Sequence, residues 1–76
     1  SELAEVRVPV LDRRGEIAAI ASLSTDLDVN IYDLEIAHSA EGDRGVVVMI
    51  VEASLAERLS GGLMAQGYRP AVRPLT

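Results

Sequence analysis

Any chemistry in this chain has to come from a short polar elbow and one out-of-place amide. The elbow is Leu11-Asp12-Arg13-Arg14-Gly15, and the amide is Asn30 in the run Asp28-Val29-Asn30-Ile31-Tyr32. The first turn of a helix offers unpaired N–H groups at the positive end of its dipole, and these attract a carboxylate. Gly15 leaves no Cβ between such amides and an approaching group. Asn30 falls where a strand wants β-branched or apolar residues, and its side chain both donates and accepts. The pair suits a small zwitterion that presents ammonium and carboxylate together. A plainer account stands beside this one. Asp12 and Gly15 then merely start a helix, and Asn30 merely closes a turn after Asp28.

The remaining reactive residue types do not form a catalytic constellation. Cysteine is absent, so disulfides and thiolate metal sites are excluded. His38 is the single histidine, and nothing at ligand spacing accompanies it. Ser22, Ser24, Ser39, Ser54 and Ser60 have no nucleophile-elbow context. Asp33 and Glu35 share one strand parity and read as a solvated face. No cofactor is expected in this domain. A net charge of −5, with all seven basic residues scattered arginines, argues against nucleic acid. The longest apolar run, Val46 to Val51, is too short to span a bilayer, and no signal-peptide pattern precedes the first strand. A cytoplasmic setting is expected.

Six elements have to position the elbow and the amide. Glu5 to Val10 alternates as a strand, with Val6, Val8 and Val10 on one face. Gly15 to Leu27 reads as a helix, its stripe made of Ile17, Ile20, Ala21, Ser24 and Leu27. Val29 to Ala40 is a second strand whose apolar parity switches, which requires a bulge near Tyr32-Asp33. A turn over Glu41 to Gly45 leads to a third strand, Gly45 to Glu52. Its run "VVVMIV" suits a central position, with Val46, Val48 and Ile50 toward the helices and Val47, Met49 and Val51 on the far face. Ser54-Leu55-Ala56-Glu57 has the form of a capping box. The helix it opens carries Leu55, Leu59 and Leu63 and ends at Gly67. Gly61 and Gly62 inside that helix imply close packing on the sheet. Tyr68 to Leu75 is a last strand, placed at an edge by Pro70 and Pro74.

This order is βαββαβ, the α+β ferredoxin-like arrangement. Right-handed crossovers give a four-stranded antiparallel sheet of order 4-1-3-2 with both helices on one face. Residues 1–76 make one small domain, whose limited core favours self-association or attachment to a larger protein. Strand two is the other edge, open to a second copy. Ala18, Ser22 and Thr25 on the first helix are small enough for a second helix to approach.

The succession "VPVLDRRGEIAAIASL…LDVNIYDLEI…GVVVMIVE…GYRPAV" resembles an ACT domain, the amino-acid-sensing module, over nearly the whole chain. It is most similar to the C-terminal regulatory ACT domain of bacterial prephenate dehydrogenases. The resemblance implies an isolated, non-catalytic regulatory domain, a fragment of an NAD(P)-dependent enzyme of tyrosine biosynthesis. It implies a tyrosine or phenylalanine effector bound between paired units, with a homodimer built through strand two and helix one. On this basis Leu11, Asp12, Arg13, Arg14, Gly15, Glu16 and Ile17 form the loop side of the site. Asn30 and Ile31 of the neighbour form the other side. The serine-binding members carry His-x-Asn-x-Pro-Gly in the loop. Here the matching positions are Val10, Asp12, Arg14 and Gly15, and only the glycine is kept.

Overall fold

The computed structural model describes residues 2–11, 14–38, 42 and 44–75, with Arg14 described by its backbone alone. The chain runs β1 (Leu3–Leu11), α1 (Arg14–Asp26), β2 (Ile31–His38), β3 (Arg44–Glu52), a 3-10 turn (Ala53–Leu55), α2 (Ala56–Ala65) and β4 (Ala71–Pro74). The sheet order is β2-β3-β1-β4, the expected 4-1-3-2 ferredoxin-like order read from the other side. The expected turn at Glu41 to Gly45 falls partly outside the described residues, because Glu41 and Asp43 do. So do Ser39 and Ala40, the last residues of the expected second strand. No helix among the described residues is long and apolar enough to cross a membrane.

The core lies between the sheet and the two helices. Val6, Val8 and Val10 of β1 join Ile20 of α1 and Leu59 and Leu63 of α2, all buried. Side chains directly opposite in an antiparallel pair share a face. Val6 opposes Met49 and Val8 opposes Val47, so Met49 and Val47 turn to the helices. Val47, Met49 and Val51 are accordingly the fully buried residues of β3. This corrects the expected facing of that strand. Val46, Val48 and Ile50 lie on the far face, half-buried. Periodicity in an apolar run leaves its parity undecided, and the neighbouring strand decides it.

The register of β2 slips between Ile31 and Asp33, the bulge that its parity switch demanded. Ile31, Leu34 and Ile36 thereby oppose Val51, Met49 and Val47 and all reach the core side. Pro9 is accommodated because β4 pairs with β1 only from Ala4 to Arg7, which leaves that side of β1 unpartnered beyond Arg7.

Two helix expectations are corrected. The capping box is not made: Ser54 lies inside the 3-10 turn, and neither that turn nor α2 has a side-chain cap. A cap residue must sit ahead of the helix in extended backbone, and the tight turn places Ser54 within it. Gly62 packs on α1 rather than on the sheet, since a Cβ there would stand 2.5 Å from Leu27 Cδ1, and Gly61 faces open space.

Both helices end in the same motif. At α2 the Tyr68 N–H donates to the Leu63 carbonyl and the Gly67 N–H to that of Met64, each at 3.0 Å, with Gly67 at φ +94°. At α1 the Val29 and Asp28 N–H groups donate to Ser24 and Thr25, and Asp28 holds the left-handed position at φ +59°. Asp26 and Asp28 are poorly matched to the negative end of that helix. Arg58 of α2 compensates there, donating from Nη1 to the Leu27 carbonyl at 3.2 Å.

On the far face Glu5 is 6% exposed. It accepts two hydrogen bonds from Arg73, at 3.3 and 2.8 Å, and one from Arg7 at 3.2 Å. The Arg73 hydrogen bonds hold its carboxyl below the ordinary 4.5, against the upward push of burial and with help from Arg7. A carboxyl whose pKa is depressed by folding stabilises the fold above its unfolded value. That contribution is lost as the pH falls through the folded one. Arg73→Ala is therefore expected to lower the melting temperature at pH 7, with the deficit closing as the pH drops well below 4.5. A deficit that persists unchanged in acid would assign the effect to packing instead.

Candidate functional site

Gly15 and Asn30 lie at opposite ends of α1. Gly15 is the second residue of the helix, exposed, with nothing within 4 Å of where a Cβ would stand. Asn30 follows the C-terminal turn and precedes β2, exposed, beside Thr25 and Asp28 in a shallow cleft of about 230 Å³. A helix of 13 residues separates them, which is about 20 Å at 1.5 Å per residue. One chain therefore does not bring the two halves of the expected site together.

The other expected residues divide as follows. Asp12 and Arg13 lie outside the described residues, and Arg14 opens α1. Leu11 ends β1, 39% exposed, on the open face of the sheet. Ile17 is half-buried against the core, with its side chain committed to packing. Ile31 starts β2 and packs against the same core. Glu16 stands in the first turn of α1, and its Oε2 is buried without a hydrogen-bond partner.

Glu16 lines a cavity of about 440 Å³ between the end of β1, the start of α1 and the turn that joins α2 to β4. Arg44, Gln66, Tyr68 and Arg69 share its wall. Burial pushes the Tyr68 phenol above its ordinary value, and the Glu16 charge adds to that, so Tyr68 stays protonated at neutral pH. Sequence reasoning found only Glu16 and Leu11 of this cavity. The others are Pro9 and Val10 of β1, Arg44 at the start of β3 and residues 66–69, and only the topology gathers them. No local motif marks them.

The described residues hold no group of three or more histidine or acidic side chains able to bind a metal. β2 forms one edge of the sheet, and among the described residues no strand pairs with its outer side. Ala18, Ser22 and Thr25 are exposed along α1.

Solved structures of ACT domains share this fold. The ACT domain of prephenate dehydrogenase from Bacillus anthracis is similar at a TM-score of 0.76 and 23% identity, over 88% of this chain and 99% of that one. The regulatory subunit of aspartate kinase from Thermus thermophilus is similar at 0.84 and 14% identity, over 96% of this chain. The match takes in 51% of that subunit, so this chain corresponds to about half of it. An ACT domain protein from Streptococcus pneumoniae gives 0.66 and 14% identity, over 97% of this chain and 90% of that one. No protein-family model matches the sequence, and no curated protein does. At these identities the likeness establishes the fold.

Proposed function

We propose that this domain is a regulatory module that binds an amino acid, tyrosine or phenylalanine, at a seam between two copies. In this reading it is one part of a cytoplasmic prephenate dehydrogenase and confers feedback control on the catalytic domain. The effector lies against the first turn of α1 of one copy and against Asn30 and Ile31 of the other. The accessible backbone at Gly15 is the observation that carries the reading, because protein atoms filling that corner would have left no room for a ligand. The separation of Gly15 from Asn30 by the length of α1 makes pairing a requirement. The edge position of β2 and the small residues on α1 supply a surface for it. Effector binding changes activity only if it favours one pairing of the domains over another.

Calorimetry with a panel of amino acids at millimolar concentration tests this. Tyrosine or phenylalanine is expected to bind, and Asn30→Ala and Gly15→Val are each expected to weaken binding by about tenfold while leaving the fold intact. Sedimentation is expected to show dimers, with a melting temperature that rises with concentration. Heat from none of the panel would favour a second reading, a dimerisation module without a small ligand. The half-buried apolar stripe Val46, Val48 and Ile50 on the uncovered sheet face lends that reading its support.

A further inference from the structure

The open face of the sheet is polarised across its strands. Residues opposite one another in register share a face, and the pairings set those of the open face in rows. Asp33, Ile50, Glu5 and Arg73 form one row, and Glu35, Val48, Arg7 and Ala71 form the next. The β2 side therefore carries two exposed carboxylates, neither of them in an ion pair among the described residues. The centre is the half-buried apolar stripe Val46, Val48 and Ile50 of β3. The far side is cationic. Glu5 holds the Arg7 and Arg73 guanidinium groups over β1 and balances the charge of only one of them. A guanidinium has five N–H donors, so most of theirs remain available. Two strand spacings, about 10 Å, separate the Glu35 and Arg7 backbones within one chain, and no ion pair joins the two side chains.

We infer that this face packs on the same face of a second copy, about a twofold axis that runs along β3. Such an axis keeps each row level and exchanges its two sides. The apolar stripe then meets itself, and Glu35 of one copy comes opposite Arg7 of the other. Asp33 comes opposite the place where Glu5 of the other copy holds the Arg73 guanidinium. An axis across the strands would set β2 over β2, carboxylate against carboxylate. The pattern of acid, apolar and base is thus complementary to itself in one aligned sheet-on-sheet packing. Four strands about 4.8 Å apart, the longest of nine residues, present about 500 Å² per copy. A pair buries about 1,000 Å², the low end for a specific interface. This pairing needs no ligand and uses neither the outer side of β2 nor α1. It is therefore distinct from the seam of the proposed function, and the two together would build a tetramer.

Sedimentation of the 76-residue chain over a concentration series up to about 1 mM tests this. Ser22→Arg places a long charged side chain where the first helices would approach, and so blocks the seam. In that background the chain is expected still to form dimers, with a dissociation constant on the order of micromolar. Val48→Glu, which leaves the core untouched, is expected to weaken them at least about tenfold. Glu35→Arg and Arg7→Glu, each added singly to that background, are expected to do the same, because each sets like charges opposite one another. Mixed in equal amounts, those two variants are expected to recover pairing. One copy then brings cationic side chains to both contacts and the other brings anionic ones, a rescue that misfolding could not give. Monomers throughout in Ser22→Arg would overturn the inference, and dimers in the unaltered chain would then leave the seam standing. Dimers indifferent to Val48→Glu, or a mixture that fails to recover, would overturn it as well. Assembly that Val48→Glu abolishes and Ser22→Arg leaves unchanged would keep the face pair and remove the seam.

Discussion

Leu63→Ala is expected to lower the unfolding free energy by about 2–5 kcal/mol, and the melting temperature by at least about 8 °C. The side chain of Leu63 is fully buried where α2 meets the sheet, so its removal leaves a cavity bounded by residues of both layers. A 76-residue domain has only about 4–11 kcal/mol of total stability, and the upper part of the expected range would leave much of the population unfolded. The same residue anchors the helix end, because its carbonyl accepts from Gln66 and Tyr68, each at 3.0 Å. Loss of packing at Leu63 therefore reaches the turn that walls the Glu16 cavity. Met64→Ala is the control: its side chain is 58% exposed, and a surface change there stays within about 0.5 kcal/mol. Urea denaturation with an unchanged slope would measure both variants. A loss below about 1 kcal/mol in Leu63→Ala would mean that the core readily collapses into the space.

How much of this was legible in the residues depends on the range of the signal. The six elements were, because alternation in Glu5 to Val10 and three-to-four spacing in Gly15 to Leu27 are local patterns that the backbone must satisfy. The bulge was legible for the same reason, since Val29-Ile31 and Leu34-Ile36 cannot share a face without it. The facing of β3 was not. Every residue from Val46 to Val51 is apolar, and only the register against Val6 and Val8 fixes which set turns inward. The capping box failed because a 3-10 turn, three residues long, took the place of a helix start. Gly62 was recognised as a close approach but given the wrong neighbour, α1 instead of the sheet. The candidate site divides along the same line. Gly15 and Asn30 stood out from their local context, whereas Arg44, Tyr68 and Arg69 look ordinary where they stand and meet Glu16 only through the fold.

Gly67→Val is expected to destabilise the fold by about 1–3 kcal/mol without removing a single packed atom. Gly67 holds φ +94°, a conformation that costs a β-branched residue dearly and glycine almost nothing. No atom lies within 4 Å of the position a Cβ would take, so the cost is backbone strain alone and not collision. That distinction fixes a ranking. Gly67→Asn should lose less than Gly67→Val, because asparagine tolerates the left-handed region, and α1 already ends on Asp28 at φ +59° in the same hydrogen-bonded motif. Gly67→Ala should fall between them. The three variants, compared by urea denaturation, would expose any other cause: a loss that followed side-chain volume alone would point to an unseen contact. The strained variants should also displace Gln66, Tyr68 and Arg69, which this turn carries to the cavity wall.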